Sequence, residues 1–349
     1  MEARHDVYLG LSRMSNKSKT ELFANIRERV CAKTVGWKER YLSQAGKLTL
    51  IKSVLQAIPS YIMSCFRIPI TLLSEMNRHM ASFFWDSGKN HKIHWLRWGK
   101  MCKRMNDGGL GQRDLHSFNM ALLAKQGWRL MTRPEALLSR ILTARYYPNS
   151  NFCEAKKKAN ASFTRQSLLA AQSLVMMGSR WRIGDGANVR IWHDRWIPRE
   201  FSFMTLTTPI VLSPNAKVSE LIDEGGQEWK SELINLIFPA NEAEVILSIP
   251  LGRSTPDRLQ GSTCYQAKDD SWEFVWQCDA PPKVKMFIWR ACKRIIPTAI
   301  NLRARHCLED TRCARCEETD EDDHHALLVC PFARMTWALS NIQWHLLDS

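Results

Sequence analysis

The sequence predicts a mainly α-helical fold with a small β-hairpin. Apolar residues recur at the three- and four-residue spacing of helices in several segments between residues 20 and 177. A short stretch alternates apolar and basic residues around Gly184-Asp185-Gly186, as in a hairpin. Three cysteines and one histidine fall within residues 313–330, which predicts that a small helical domain at the C-terminal end is stabilised by a metal ion.

Three helices are predicted in the first ninety residues. Thr20 is placed to cap a helix that runs to about residue 30, and Gly36 is expected to break the chain after it. Ser43 is placed to cap a second helix that Pro59 ends, and a third helix follows Pro69. The predicted core faces of these last two helices are Leu48, Ile51, Leu55 and Ile58, and Leu73, Met76, Met80 and Phe83.

The middle of the chain contains a glycine cluster, two further helices and the hairpin. Gly108–Gly111 resembles a phosphate-binding loop in composition, but no Lys-Ser/Thr pair follows, so a tight turn is the better interpretation. Helices are predicted at Phe118–Met131 and Arg165–Met177. The hairpin is predicted at Trp181–Trp196, where interleaved Trp and Arg could stack on bases. Half-buried hairpin packing explains the same alternation.

Residues 201–270 are acidic and loop-rich, and they predict a connector with one or two helices around Glu228–Phe238. A helix follows the Pro281-Pro282 pair and ends at Pro297, and Thr298 is placed to cap a short helix, Ala299–Arg305. The predicted core face of the longer helix is Val284, Phe287, Ile288, Ala291 and Ile295.

The C-terminal ligand pattern is C-x2-C-x8-H-x4-C, made by Cys313, Cys316, His325 and Cys330. Three thiolates and one imidazole complete the tetrahedral set that a structural zinc ion requires. The two-residue spacing of the first pair lets both sulfurs point at one ion. The pattern therefore predicts one structural Zn²⁺ held by these four side chains.

Nearby donors and other chemistries are alternatives to this ligand set. His306, Cys307 and His324 are spare donors, and any of them could replace one of the four ligands. A redox role for the first cysteine pair lacks the usual strand-then-helix context. The acidic loop that contains Asp320 does not fit a calcium loop, because His325 occupies the position that requires glycine. A solvated acidic face is the simpler interpretation of that loop.

Charge is distributed unevenly along the 349 residues. Residues 1–110 carry 19 Lys+Arg against 8 Asp+Glu, a net charge of +11, and residues 111–200 carry 15 against 6, a net charge of +9. Residues 201–280 carry 5 against 12, a net charge of −7. A basic stretch of two hundred residues suits the phosphate backbone of RNA or DNA, although solvated Lys and Arg are the plainer alternative.

Cysteine use and hydropathy predict the surroundings of the chain. Eleven cysteines, an odd number, and an N-terminus without the apolar run of a signal peptide predict a reducing, intracellular compartment. Uncharged stretches are short and contain Pro, so no membrane partner is expected. No pattern indicates a small-molecule substrate.

Several segments together resemble plant LINE-type (non-LTR) retrotransposon reverse transcriptases. The C-terminal run Ala280–Arg290, followed by Pro297-Thr298 and the cysteine–histidine set, is similar to the zinc-binding domain of these proteins. Further segments in the same order resemble the region after the polymerase palm. They are Tyr8–Leu11, Trp37-Lys38, Leu42–Gly46, Ile58–Ser64, Gly108–Gly111 and Trp181–Trp196.

The resemblance implies a helical thumb or connection region followed by the zinc-stabilised helical domain. In these terms, residues 1–70 are a post-palm thumb or connection remnant, and residues 71–200 are a basic helical region with the Trp-rich hairpin. Residues 201–270 are a shortened acidic connector, and residues 271–349 are the zinc-binding domain. The candidate nucleic-acid-binding residues, on and just after the helix that follows Pro282, are Lys283, Lys285, Arg290, Lys293 and Arg294.

The sequence also departs from that family. Only seven residues precede Tyr8, whereas relatives carry the palm and its Tyr-x-Asp-Asp signature there. The two Asp-Asp pairs, Asp269-Asp270 and Asp322-Asp323, lack the preceding tyrosine, and polymerisation requires paired carboxylates that hold metal ions. Gly261–Tyr265 resembles a shortened form of a strand-forming family segment. We therefore expect no polymerase activity and no catalytic residues.

The leading hypothesis is a non-catalytic, truncated, retroelement-derived chain that binds zinc and nucleic acid. The alternative is a zinc-dependent protein-interaction module recruited to a host role. An autonomous zinc enzyme is disfavoured because four protein ligands leave no open coordination position and because the deaminase strings His-x-Glu and Pro-Cys-x-x-Cys do not occur.

Overall fold

The computed structural model describes residues 7–8, 11–12, 19–38, 42–86, 93–148, 152–156, 161–199, 203–209, 211–223, 225, 228–252, 255–261 and 272–340. Its α-helices are α1 (Lys19–Lys38), α2 (Gln44–Leu50), α3 (Ser60–Cys65), α4 (Ile70–Trp85), α5 (Trp98–Met101), α6 (Leu115–Thr132), α7 (Leu137–Tyr146), α8 (Phe163–Ala170), α9 (Gln172–Met177), α10 (Ser231–Ile237), α11 (Ala240–Leu247), α12 (Glu273–Gln277), α13 (Pro282–Cys292), α14 (Ala299–Arg303) and α15 (Pro331–Ala338). Two π-helical turns span Ile51–Leu55 and His325–Val329, and two 3₁₀ turns span Met105–Asp107 and Val218–Leu221.

Four short strands complete the described structure: β1 (Val7–Tyr8), β2 (Leu11–Ser12), β3 (Ser179–Arg182) and β4 (Arg258–Gly261). They pair antiparallel as β1–β2 and β3–β4, with Ser179 opposite Gly261. The prediction of a mainly helical fold with a small antiparallel sheet is confirmed. No helix in the described ranges has the length and apolar character needed to cross a bilayer.

The chain divides into two compact units. The first unit comprises Met1–Tyr61, Ile68–Ser117 and Lys268–Ser349, so it joins the N-terminal helices to the C-terminal cysteine–histidine region. The second unit comprises Ile62–Arg67 and Phe118–Ala267.

Helices α1 and α4 pack against each other in the first unit. The predicted face of α4 is confirmed, because Leu73, Met76, Met80 and Phe83 are all buried. Burying each of these side chains contributes about 1.5–3 kcal/mol. The predicted break at Gly36 is wrong: α1 continues to Lys38, because the Trp37 ring packs against Phe83 at 5.8 Å between centroids and stabilises the last turn. The predicted cap at Thr20 falls on a side chain outside the described residues.

The second predicted helix is confirmed at its start and altered at its end. Ser43 is the N-cap of α2, and its hydroxyl accepts a hydrogen bond from the Gly46 N–H at 3.2 Å. Beyond Leu50 the helix widens into the π-turn Ile51–Leu55, and both of these end residues are buried. Gln56 follows this turn, and its amide donates to the Gln112 side chain and to the Arg113 carbonyl, both at 3.1 Å.

The glycine cluster forms the predicted tight turn. Gly108 has φ +74° and Gly111 has φ +62°, values that favour glycine. A Cβ at Gly109 would lie 2.1 Å from the Lys103 carbonyl oxygen, so only glycine fits there. The Gly108 carbonyl accepts a hydrogen bond from Trp289 Nε1 at 3.2 Å, which joins α13 to this turn.

This contact explains why the predicted core face of α13 is wrong. Val284 and Phe287 are 43% and 47% exposed, whereas Met286 and Trp289 are buried. Because Trp289 reaches the glycine turn, the helix is rotated so that a different set of apolar side chains faces inward. Ile295, after the helix, is buried as predicted.

In the second unit, helices α6 to α9 surround a small core that contains Leu130, Tyr147, Phe152 and Leu168. The predicted helix Phe118–Met131 corresponds to α6. The predicted helix Arg165–Met177 is divided, because α8 ends at Ala170 and α9 begins at Gln172. The Gln172 amide donates to the carbonyls of Phe152, Cys153 and Ala155, which secures the preceding loop.

The predicted hairpin at Trp181–Trp196 is wrong in its pairing. Strand β3 pairs with β4, more than seventy residues along the chain, rather than with the residues after Gly186. The Asp257 carboxylate explains this arrangement, because it accepts hydrogen bonds from the N–H groups of Gly184, Gly186 and Asn188 at 2.8, 3.0 and 2.9 Å. The glycine turn therefore wraps around a distant carboxylate instead of closing a local hairpin.

The described residues between 203 and 261 contribute to the core of the second unit. Helices α10 and α11 supply Ile234 and Ile246, which are buried in one cluster with Val189, Ile191 and Trp196. Buried Glu242 accepts hydrogen bonds from the Leu206 N–H and the Thr207 hydroxyl. The acidic segment is therefore an integral part of a core. Residues 262–265 of the resemblance segment Gly261–Tyr265, the Asp269-Asp270 pair, and Leu9-Gly10 of Tyr8–Leu11 lie outside the described residues.

Candidate metal centre

A short hairpin-like loop presents the first two cysteines. Arg312 and Asp320 form an antiparallel bridge, and the Cys313 N–H donates to the Thr319 carbonyl at 2.8 Å. The chain reverses through Glu317, whose φ is +59°. Both Cys313 and Cys316 are therefore held on the same tight loop.

The π-turn His325–Val329 presents the other two ligands. Asp322 Oδ1 accepts the His325 N–H at 2.6 Å, and the Cys330 N–H donates to the His325 carbonyl at 2.9 Å, the five-residue spacing of a π-helix. Cys330 then serves as the N-cap residue of α15, with Pro331 at the first helical position. The widened turn brings His325 and Cys330 to the same side of the chain.

The four side chains converge. Their ligand atoms all lie within 4.8 Å of one another, and Cys316 Sγ is 3.3 Å from His325 Nε2. A tetrahedral zinc ion with Zn–S bonds of about 2.3 Å separates its sulfur ligands by about 3.8 Å. Cys313, Cys330 and His325 are only 1%, 2% and 8% exposed. The donor set, its spacing and its burial fit a closed, structural metal site.

Thr319 orients the imidazole. Its hydroxyl is 3.1 Å from His325 Nδ1, which leaves Nε2 directed at the three sulfurs. A hydrogen bond to the outer nitrogen is the usual device that fixes the orientation of a metal-binding histidine. Sequence reasoning missed this residue, because a threonine six positions before a histidine gives no distinctive signal.

The two thiols of the loop differ electrostatically. The N–H groups of Glu318 and Thr319 point at Cys316 and lower its pKa to about 7, which favours the thiolate that binds metal. The Cys316 N–H acts to lower the pKa of Cys313, but burial and the neighbouring thiols of Cys316 and Cys330 raise it overall. A bound cation would stabilise both thiolates.

The three spare donors lie outside this group. His306, Cys307 and His324 are exposed, and the converging set of four contains none of them. His306 has φ +55°, and the Cys307 thiol donates to the Arg305 carbonyl at 3.4 Å.

The acidic loop does more than face solvent. Glu321 Oε2 accepts the Ala299 N–H at 2.9 Å, so it caps α14. The predicted capping by the Thr298 hydroxyl is wrong, because that buried oxygen has no hydrogen-bond partner in the described part of the chain. The cap on His325 by Asp322, three positions earlier, was detectable from sequence because it is an ordinary N-cap spacing.

Comparison with known proteins matches this region to a family model. The model of the zinc-binding region of reverse transcriptases matches residues 260–337, which include the four converging side chains. An uncharacterized mitochondrial protein of Arabidopsis thaliana is 43% identical over 146 residues, which are 41% of this chain and 95% of that protein. The chain belongs to the plant non-LTR retroelement reverse-transcriptase family.

A longer relative extends the likeness along the chain. An Arabidopsis thaliana protein named provisionally as a ribonuclease H protein is 26% identical over 351 residues. The match covers 93% of this reverse-transcriptase-family chain but 56% of that relative, so the chain spans about half of the relative's length.

The five cations predicted to contact nucleic acid differ in their surroundings. Lys285 Nζ donates to the Trp276 carbonyl at 2.9 Å, and Lys293 Nζ lies 4.0 Å from the centroid of the Trp272 ring. Arg290 donates to the Ile295 carbonyl, and burial lowers its pKa. Lys283 and Arg294 are exposed. In this reverse-transcriptase-family chain, three of the five therefore help to pack the region around α13.

Proposed function

We propose that Cys313, Cys316, His325 and Cys330 hold one structural zinc ion, and that the chain is a non-catalytic, nucleic-acid-binding component of a retroelement reverse transcriptase. The observation that carries the zinc proposal is the convergence of four ligand atoms within 4.8 Å in a largely buried group. With four protein ligands the ion has no open position, so its role is to stabilise the fold.

The zinc ion would fix two helices with few buried side chains, since α14 buries only Ala299 and α15 has no fully buried residue. Apparent zinc-binding free energies of about 10–16 kcal/mol are comparable to the whole stability of a domain. The loop that supplies two ligands also positions Glu321 at the start of α14. We therefore expect metal loss to unfold the ligand loop, α14 and α15 together.

Exposed basic residues in both units support the nucleic-acid proposal. Lys100, Lys103 and Arg113 lie exposed around the glycine turn of the first unit. In the second unit the exposed basic residues of α6, α7 and the loop between them are Lys125, Arg129, Arg133, Arg140 and Arg145. Such residues neutralise phosphates and release counterions, which makes binding strongly dependent on salt.

The surroundings of Asp322 and Asp323 support a non-catalytic role. Asp322 caps the His325 turn, and Asp323 Oδ1 accepts a hydrogen bond from the Asn301 amide at 3.1 Å. Both carboxylates therefore have structural partners beside the candidate metal centre, whereas polymerisation requires carboxylates that hold catalytic metal ions. Primer extension with the purified chain and Mg²⁺ tests this, and any template-dependent product would contradict it.

Metal content of the full chain tests the zinc proposal. We expect about one zinc ion per chain by elemental analysis. Cys316→Ser should lose the metal, whereas Cys307→Ser, a nearby exposed thiol outside the group, should keep it. Hydrogen exchange should accelerate over residues 299–337 only in Cys316→Ser. Full zinc content in Cys316→Ser, or a metal-free parent whose exchange does not respond to chelator, would contradict the proposal.

The second candidate is a zinc-dependent protein-interaction module. Exposed apolar side chains on the C-terminal region favour it: Phe287, Phe332, Met335 and Leu339. Salt distinguishes the two functions. Nucleic-acid binding should weaken steeply between about 50 and 200 mM salt because counterions are released. No binding of RNA or DNA at low salt would favour the interaction module.

A further inference from the structure

A cavity of about 480 Å³ lies within the second unit. It is bordered by the end of α6, by α7 and the loop after it, by strand β3, and by residues 190–195. Pockets of about 300–1,000 Å³ hold small ligands in proteins. The lining combines arginines with aromatic side chains, and it includes Tyr147, Phe152, Arg180, Trp181, Arg190 and Arg195.

The charges that line the cavity are not balanced evenly. The Arg190 guanidinium donates to both oxygens of Asp194, at 3.2 and 3.1 Å, and lies 3.7 Å from Glu154. The carboxylates of Asp194 and Glu154 thus both pair with Arg190. Arg180 and Arg195 form no salt bridge within the described residues. The positive charges of these two guanidinium groups beside the cavity are therefore not neutralised by a paired carboxylate.

An aromatic ring supports these two arginines in position. The guanidinium carbons of Arg180 and Arg195 lie 5.7 and 5.2 Å from the centroid of the Phe203 ring. Arg195 Nη1 also donates to the Met176 carbonyl at 2.8 Å. Cation–π contact restricts both side chains, and this hydrogen bond restricts Arg195 further. Within the described residues, most of the five N–H donors of each guanidinium group have no protein acceptor.

One buried polar atom in the lining, Arg195 Nε, has no hydrogen-bond partner in the described part of the chain. Tyr147 also lines the cavity; it is only 2% exposed, and the guanidinium carbon of Arg165 lies 5.6 Å from the centroid of its ring. Buried donors are nearly always paired in native proteins. An unpaired guanidinium N–H in a cationic cavity indicates that an anionic or polar ligand completes the site.

The same cavity offers a surface for a planar group. Trp181 is half-buried: it lines the cavity, and it also packs against the apolar cluster that contains Val189 and Trp196. Bases of single-stranded nucleic acid stack on such rings, and stacking tolerates any base sequence. A duplex keeps its bases inside the helix, so a cavity of this size would accept only an unpaired nucleotide.

We propose that this cavity binds one nucleotide of single-stranded nucleic acid, with its phosphate on Arg180 and Arg195 and its base against Trp181. This inference rests on the proposed nucleic-acid-binding function and locates one contact of that function. The bound phosphate would pair the free Arg195 Nε, and the base or sugar would approach the Tyr147 hydroxyl.

Binding of a fluorescent single-stranded oligonucleotide to the full chain tests this inference. Arg180→Gln and Arg195→Gln should each weaken binding by about tenfold or more, because each loses a charged hydrogen bond to phosphate. Arg182→Gln is the matched control: it lies exposed on the same strand but does not line the cavity. It should change affinity by less than about twofold.

Three outcomes distinguish failure of the cavity site from failure of the proposed nucleic-acid-binding function. If the parent chain binds no oligonucleotide at low salt, the proposed function and the cavity site both fail. If the parent binds and the cavity variants bind like Arg182→Gln, the cavity site is overturned and the proposed function stands. If inorganic phosphate competes as well as a nucleoside monophosphate, the cavity recognises only an anion, and the nucleotide assignment is overturned.

Photo-crosslinking guards against a folding defect in the variants. An oligonucleotide that contains 4-thiouridine should crosslink, in the parent chain, to peptides that contain Trp181 or Tyr147. Excess nucleoside monophosphate should suppress these crosslinks. Crosslinks found only in peptides outside the cavity would overturn the proposal without any substitution.

Discussion

Asp257 provides a sharp test of how the second unit is assembled. Its carboxylate accepts three backbone hydrogen bonds, from Gly184 and Gly186 on Oδ1 and from Asn188 on Oδ2. A typical hydrogen bond contributes about 1 kcal/mol net, and the half-buried position of Asp257 limits any charge-assisted gain. We therefore expect Asp257→Ala to destabilise the turn by about 3 kcal/mol.

Asp257→Asn should cost less. The Asn carbonyl oxygen can still accept from Gly184 and Gly186, but the amide group would face the Asn188 N–H, and two donors would then oppose each other. We expect a loss of about 1–2 kcal/mol. The control is Asp185→Asn. Among the described residues, exposed Asp185 accepts a hydrogen bond from the Ala187 N–H alone, so this substitution should lower the stability by less than about 1 kcal/mol.

Hydrogen exchange reports this effect locally. A destabilisation of about 3 kcal/mol should accelerate exchange of the Gly184, Gly186 and Asn188 amides on the order of 100-fold in Asp257→Ala. Pairing of β3 with β4 should weaken as well, since Asp257 directly precedes β4. Exchange in Asp257→Ala no faster than in Asp185→Asn would refute the view that this carboxylate organises the turn.

Two further predictions concern the first unit. Gly109→Ala should lower the free energy of unfolding by about 2–3 kcal/mol, because the added Cβ would meet the Lys103 carbonyl oxygen at 2.1 Å. Gly36→Ala is the control: an added Cβ there meets nothing within 4 Å, so this substitution should stabilise α1 by up to about 1 kcal/mol. Equal melting temperatures of the two variants would contradict this prediction. Burial, and then the Arg113 charge, lower the pKa of Lys52 from its ordinary value. The pH midpoint of its acylation, followed by mass spectrometry, should therefore lie below that of an ordinary lysine side chain and should rise in Arg113→Gln. An unchanged midpoint in that variant would exclude Arg113 as a cause.

Local signals in the sequence predicted much of the first unit. The face of α4 and the Ser43 cap follow from spacing within one helix, so they needed no information about distant residues. The cysteine–histidine set was visible for the same reason, since all four side chains lie within residues 313–330.

Long-range contacts decided what the sequence did not predict. The face of α13 depends on the Gly108 carbonyl, which lies 181 positions before Trp289. Almost every turn of that helix offers an apolar side chain, so periodicity alone could not select the buried set. The pairing of β3 depends in the same way on Asp257, and the Gly-Asp-Gly pattern carries no mark of its distant partner.

The hydrogen bonds of the C-terminal region bear on where a self-sufficient zinc domain begins. Trp276, Trp289 and Arg305 each donate a side-chain hydrogen bond to a backbone carbonyl between residues 95 and 108. The family model of the zinc-binding region matches residues 260–337. If the segment were excised at those limits, the indole N–H groups of Trp276 and Trp289 and the guanidinium of Arg305 would lose these acceptors. The ring of Trp289 would also become exposed to water. A bound metal ion would then have to stabilise the excised segment without the residues between 95 and 108 against which it packs in the full chain.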